Sequence, residues 1–68
     1  MKNFYKQIED ETKLKGSVDF QVKGNKFRTF IDWEKDFCLT YYSKSGDNAW
    51  CVQNADGLEH KLNKIINQ

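Results

Sequence analysis

Val18 to Val52 reads VDFQVKGNKFRTFIDWEKDFCLTYYSKSGDNAWCV, and the period of this stretch decides the fold. Val18, Phe20 and Val22 alternate with Asp19, Gln21 and Lys23. Phe27, Thr29, Ile31 and Trp33 alternate with Lys26, Arg28, Phe30 and Asp32. Phe37, Leu39 and Tyr41 alternate with Cys38, Thr40 and Tyr42, and Trp50 and Val52 with Ala49 and Cys51. Successive side chains of a strand point to opposite faces, so a period of two marks half-buried β-strands. Gly24-Asn25, Glu34-Lys35-Asp36 and Ser45-Gly46 interrupt the alternation with turn-forming or polar residues. The stretch predicts a four-stranded antiparallel meander.

Turn length sets hairpin register, so the pairing follows from the same reading. A turn at Gly24-Asn25 puts Val22 opposite Phe27, Phe20 opposite Thr29 and Val18 opposite Ile31. A loop at 34–36 puts Trp33 opposite Phe37, Ile31 opposite Leu39 and Thr29 opposite Tyr41. A turn at Ser45-Gly46 puts Leu39 opposite Val52 and Tyr41 opposite Trp50. All three gather the large apolar residues, Trp33 included, on one face, and that face is the expected core.

The flanks change period. Phe4, Tyr5 and Ile8 share a helical face with Thr12 one turn on, over residues 1–15, and Gly16 is a natural stop. Acids at 9–11 precede Lys13 and Lys15 at helical spacing. After a break at 54–57, Leu58, Leu62, Ile65 and Ile66 recur at helical spacing, and Asp56 with Glu59 reads as a capping box. The expected architecture is one small α+β domain over residues 1–68, in the order αββββα. Its helices mainly cover one face of the sheet.

Composition narrows the function classes. The chain has 68 residues, 38% of them hydrophobic and 15% aromatic, with a net charge of +1. Rings in that proportion can build a small core, so the chain reads as folded. The balanced charge excludes a strongly basic nucleic-acid coat protein and an acidic nucleic-acid mimic. No apolar run is long enough for a membrane span, and the N-terminus lacks an apolar signal core, so a cytoplasmic protein is expected. Lysine outnumbers arginine ten to one, a bias that fits phage and mobile-element proteins.

Catalytic and metal motifs are missing from the sequence. There is no Walker loop, Gly-x-Gly-x-x-Gly, nucleophile elbow or paired metal-ligand spacing. His60, on the last helix, has no nucleophile or carboxylate placed beside it by a motif. Two cysteines and one histidine fall short of four zinc ligands. No enzyme activity, cofactor or metal is therefore expected. The cysteines read as reduced thiols. The register makes Cys38 and Cys51 diagonal neighbours, with Cα atoms ~7–8 Å apart, beyond the usual disulfide span of ~4.4–6.8 Å.

The second face of the sheet carries the candidate site. Its rows read Lys23-Lys26-Lys44-Asp47, then Gln21-Arg28-Tyr42-Ala49, then Asp19-Phe30-Thr40-Cys51. Like charges side by side cost stability, which singles out the lysine row. Lys23, Lys26, Arg28, Phe30, Tyr42 and Lys44 form a candidate binding face for an anionic or planar partner. The plainer reading is a solvated face whose edge lysines discourage aggregation.

Two functions compete for this face. The first is a small non-enzymatic binding module for a larger protein partner, such as a phage or mobile-element inhibitor or accessory protein. The second is a single-stranded nucleic-acid-binding module. Four antiparallel strands followed by a helix resemble, in topology alone, the Whirly-type single-strand-binding modules. The resemblance implies a sheet-face site and pairing through the helix. The leading helix and near-zero net charge depart from that family. A homodimer through the sheet face or through Ile65 and Ile66 of the last helix is a further expectation.

Overall fold

The structure, a computed structural model, describes residues 2–67, with side chains from residue 4 onward. The first position of the expected 1–15 helix lies outside the described residues. Helix α1 (Lys2–Lys15) leads through Gly16 into strands β1 (Ser17–Val22), β2 (Asn25–Ile31), β3 (Phe37–Ser43) and β4 (Gly46–Cys51), and helix α2 (Ala55–Ile66) closes the chain. The strands form an open sheet in sequence order, each pair antiparallel. The αββββα architecture read from the sequence is the one observed. Among the described residues no helix is long and apolar enough to cross a membrane.

Each helix ends where its local chemistry requires. Gly16 adopts φ 96°, the left-handed region that glycine enters without a Cβ clash. From there its N–H reaches the Thr12 carbonyl at 2.7 Å. At the start of α2 the cap is Asn54, not the expected Asp56. Its Oδ1 accepts the Gly57 N–H at 2.9 Å. Asp56 lies inside the first turn, where its charge suits the helix dipole. Gly57 is needed for space, because a Cβ there would overlap the Val52 carbonyl oxygen.

Both helices pack on the same face of the sheet. Tyr5 and Ile8 of α1 and Leu58 and Leu62 of α2 join Phe27, Phe37, Leu39 and Val52 in the buried core. Thr12 and Thr29 meet inside it, hydroxyl to hydroxyl at 2.6 Å. Glu9 joins the helices to each other: its Oε1 accepts the Ala55 N–H at 2.8 Å, while Lys13 donates to Oε2 at 2.7 Å.

The expected faces hold, but all three registers shift. The first turn is Lys23-Gly24, so Val22 faces Asn25 and Phe20 faces Phe27. Lys23 and Gly24 take φ 51° and 80°, the paired positive values of a tight turn whose twist matches the strands. The β2–β3 connection spans 32–36, so Ile31 faces Phe37. Asp32 causes the change. Its Oδ1 accepts the Glu34 and Asp36 N–H groups at 2.9 and 2.8 Å, which ends β2 early. The last turn is Lys44-Ser45, so Leu39 faces Trp50 and Cys38 faces Cys51. A partner shifted by two residues keeps its side chain on the same face. The shift brings Phe20, Phe27 and Tyr41 into one row, with ring centroids 5.5 and 5.1 Å apart in near-parallel stacks.

Trp33 is the expected core residue that the structure removes. It lies in the 32–36 loop and is 88% exposed. The other tryptophan, Trp50, is half-buried, with the Lys61 ammonium 4.1 Å from its ring centre.

Candidate functional site

The face turned away from the helices carries three rows across the sheet. They are Gln21-Lys26-Tyr42-Asp47, Asp19-Arg28-Thr40-Ala49 and Ser17-Phe30-Cys38-Cys51. The expected row of lysines does not form, because the shifted turns take Lys23 and Lys44 out of the strands. Both stay at the turn end of the sheet, next to the row that holds Lys26 and Tyr42.

Arg28 is not a free cation. Its Nε and Nη2 donate to the two carboxylate oxygens of Asp19 at 2.6 and 3.1 Å. This two-point contact holds the Asp19 carboxyl below its ordinary range. Lys26, Arg28 and Tyr42 line one shallow depression with Asp19, Phe20 and Gln21. Phe30 stands apart from them, half-buried in the cysteine row. Of the six expected residues the structure thus brings three together, leaves Lys23 and Lys44 at the adjoining turns and separates Phe30.

The opposite end of the molecule holds a feature that the sequence reading missed. Trp33 and Leu14 are 88% and 84% exposed. Both lie where α1 ends beside the close of β2, since the Ile31 N–H bonds the Gly16 carbonyl at 3.0 Å. The base of the Trp33 loop is well tied: the Asp32 N–H donates to the Asp36 carbonyl and the Lys35 N–H to the Asp32 carbonyl, both at 3.0 Å. Leu14 lies off the Tyr5-Ile8-Thr12 stripe of its helix, a signal available from spacing alone. Lys13, Lys15 and Lys35 border a depression beside Leu14 and Ile31.

A third cluster lies where that loop meets the outer face. Cys38 is only 3% exposed, with its Sγ 3.2 Å from the Cys51 Sγ and 3.7 Å from Asp32 Oδ2. The expected diagonal placement of the thiols is therefore corrected to a direct cross-strand pair. Burial, followed by the neighbouring Cys51 and Asp32, pushes the Cys38 thiol up to about 12. Cys51 is exposed. His60 is exposed on α2 and lines an open depression along β4 with Trp50, Cys51 and Lys61.

No protein-family model, curated protein or solved structure matches this chain.

Proposed function

We propose that this chain is a small non-enzymatic binding module that acts in the cytoplasm on a larger protein partner. The observation that carries the reading is the exposure of Trp33, on a hydrogen-bonded loop, at the same end as exposed Leu14. A tryptophan buries roughly 150–250 Å² when it enters a pocket. At ~25 cal/mol/Å² that is worth on the order of 4–6 kcal/mol before binding costs. A loop already held in shape loses less freedom on docking. Tryptophan is also among the residues most enriched at the energetic centres of interfaces. Lys13 and Lys15 are paired with Glu9 and Glu11, which leaves Lys35 beside Leu14 to favour an acidic group on the partner's rim. Free thiols fit a reducing compartment.

The nucleic-acid reading draws on Lys26 and Tyr42, with Lys23 and Lys44 at the neighbouring turns. Neutralisation of Arg28 by Asp19 and the presence of Asp47 beside Tyr42 weaken it.

A photo-crosslinking phenylalanine analogue placed at Trp33, and separately at Tyr42, tests the choice in cells. The expected result is one recurrent protein adduct from position 33, absent from position 42 and competed away by wild-type chain but not by a folded Leu14→Ala variant. Adducts only from position 42, or salt-sensitive binding of a mixed single-stranded oligonucleotide that Lys26→Ala abolishes, would overturn the proposal in favour of the sheet face.

A further inference from the structure

We propose that Asp32, Cys38 and Cys51 form a mononuclear site for a thiophilic divalent cation of the zinc class. The carboxylate oxygen and the two sulfurs all lie within 4.8 Å of one another. The register supplies the sulfur pair. Val52 donates its N–H to the Phe37 carbonyl at 3.0 Å, so Cys38 and Cys51, the next facing pair, fall at a position without backbone bonds between them. Facing Cα atoms there are ~4.5 Å apart and their side chains lean together.

The separations suit coordination after a small adjustment. Zinc bonds thiolate at ~2.3 Å and carboxylate at ~2.0–2.2 Å in a tetrahedron, which sets two sulfurs roughly 3.8 Å apart. The sulfurs stand 3.2 Å apart and Cys38 Sγ is 3.7 Å from Asp32 Oδ2. Both separations lie within about 0.6 Å of tetrahedral values, and the exposed Cys51 side chain has room to adjust.

Asp32 is held ready for this role. Its Oδ1 is occupied by the Glu34 and Asp36 N–H groups, at 2.9 and 2.8 Å, while Oδ2 faces Cys38. Hydrogen bonds that orient a ligating carboxylate are the usual outer support of a metal ligand. Two thiolates with one carboxylate select zinc over magnesium or calcium, which prefer all-oxygen sets. Loading releases the two thiol protons to solvent, and the dication offsets two of the three negative charges on the ligands, leaving one. The fourth position opens to water beside exposed Cys51. A bound cation would join β3, β4 and the loop that carries Trp33.

Cobalt(II) titration of the full chain, reduced with a phosphine, tests the site. The expected result is one cobalt per chain, with sulfur-to-cobalt charge-transfer absorption and the intense visible bands of a tetrahedral centre, both removed by added zinc. Cys38 is buried, so the exposed Cys51 carries the mutational test. Cys51→Ser is expected to halve the charge-transfer intensity and, like Asp32→Asn, to weaken binding at least tenfold, with circular dichroism unchanged. Three outcomes would overturn the proposal: no charge-transfer band, one cobalt per two chains, or undiminished binding by Cys51→Ser. The weak spectrum of an all-oxygen octahedral site would likewise assign any binding to Asp32, Glu34 and Asp36 instead.

Discussion

Thr12 of α1 and Thr29 of β2 meet in full burial, their hydroxyl oxygens 2.6 Å apart. Proton counting orders the pair. Thr12 has one hydroxyl proton and donates it to the Ile8 carbonyl at 2.6 Å, so Thr29 donates to Thr12. This polar contact pins the first helix to the centre of the sheet, at a place where an apolar pair would pack without direction.

Removing the acceptor should cost more than removing the donor. Thr12→Val leaves the Thr29 hydroxyl with only the Val18 carbonyl, 3.5 Å away. The expected loss is about 1–3 kcal/mol, the range for an orphaned buried group. Thr29→Val leaves Thr12 still bonded to Ile8, and about 0.5–1.5 kcal/mol is expected. In urea unfolding the double variant should lose less than the sum of the two. Additivity within about 0.3–0.5 kcal/mol would mean that the hydroxyls do not interact.

Glu9 links acid sensitivity to the packing of the helices. It is buried, and its carboxylate is shared between the Lys13 ammonium and the N-terminus of α2. The Lys13 hydrogen bond is the largest cause of a lowered Glu9 pKa, partly opposed by burial. A lowered folded value means that the contribution is complete above the ordinary 4.5 and is lost as pH falls through the folded value. Glu9→Gln should therefore cost about 1–2 kcal/mol at neutral pH. Thermal unfolding should show the gap from wild type shrinking in acid; a gap constant with pH would contradict the assignment.

At Gly57, helix propensity and packing point in opposite directions. Alanine is the better helix former by about 1 kcal/mol, yet its Cβ would overlap the Val52 carbonyl. Packing should win, because that contact is to backbone and cannot rotate away. Gly57→Ala is expected to destabilise by about 1–3 kcal/mol. An increase in melting temperature would show that α2 can shift away from β4 without loss.

Lys23 offers a stabilising change. Its φ of 51° is unfavourable for a side chain with a Cβ, whereas asparagine tolerates it and Asn-Gly is a preferred tight-turn pair. Lys23→Asn should gain a few tenths to about 1 kcal/mol. Loss of stability in urea unfolding would argue that the turn is not the one observed.

The missed features trace to particular residues. Gly24-Asn25 is the stronger turn signal in the sequence because lysine is a weak one, yet the tight turn uses Lys23-Gly24. Trp33 follows the alternation of β2, but the Asp32 side chain captures two loop amides and takes Trp33 out of the strand. Half of the expected binding face survives as a shared depression, since Lys26, Arg28 and Tyr42 all keep their outward parity. The thiol–carboxylate cluster depends on the shifted register and on the loop together, so spacing along the chain carried no sign of it.

By itself the sequence determined the element order and the face on which each strand residue lies. Parity survives a turn displaced by one residue, and helical spacing marks a buried stripe whatever it packs against. Only the tertiary structure decided which residues are neighbours across the sheet. It also decided that Trp33 points to solvent and that Cys38 meets Cys51 beside Asp32. The neighbours depend on contacts across the sheet and to the first helix, such as Phe20 on Phe27 and Thr12 on Thr29, and the exposure of Trp33 on the Asp32 bonds within its loop. The energies of those contacts select one register among several that satisfy the same alternation.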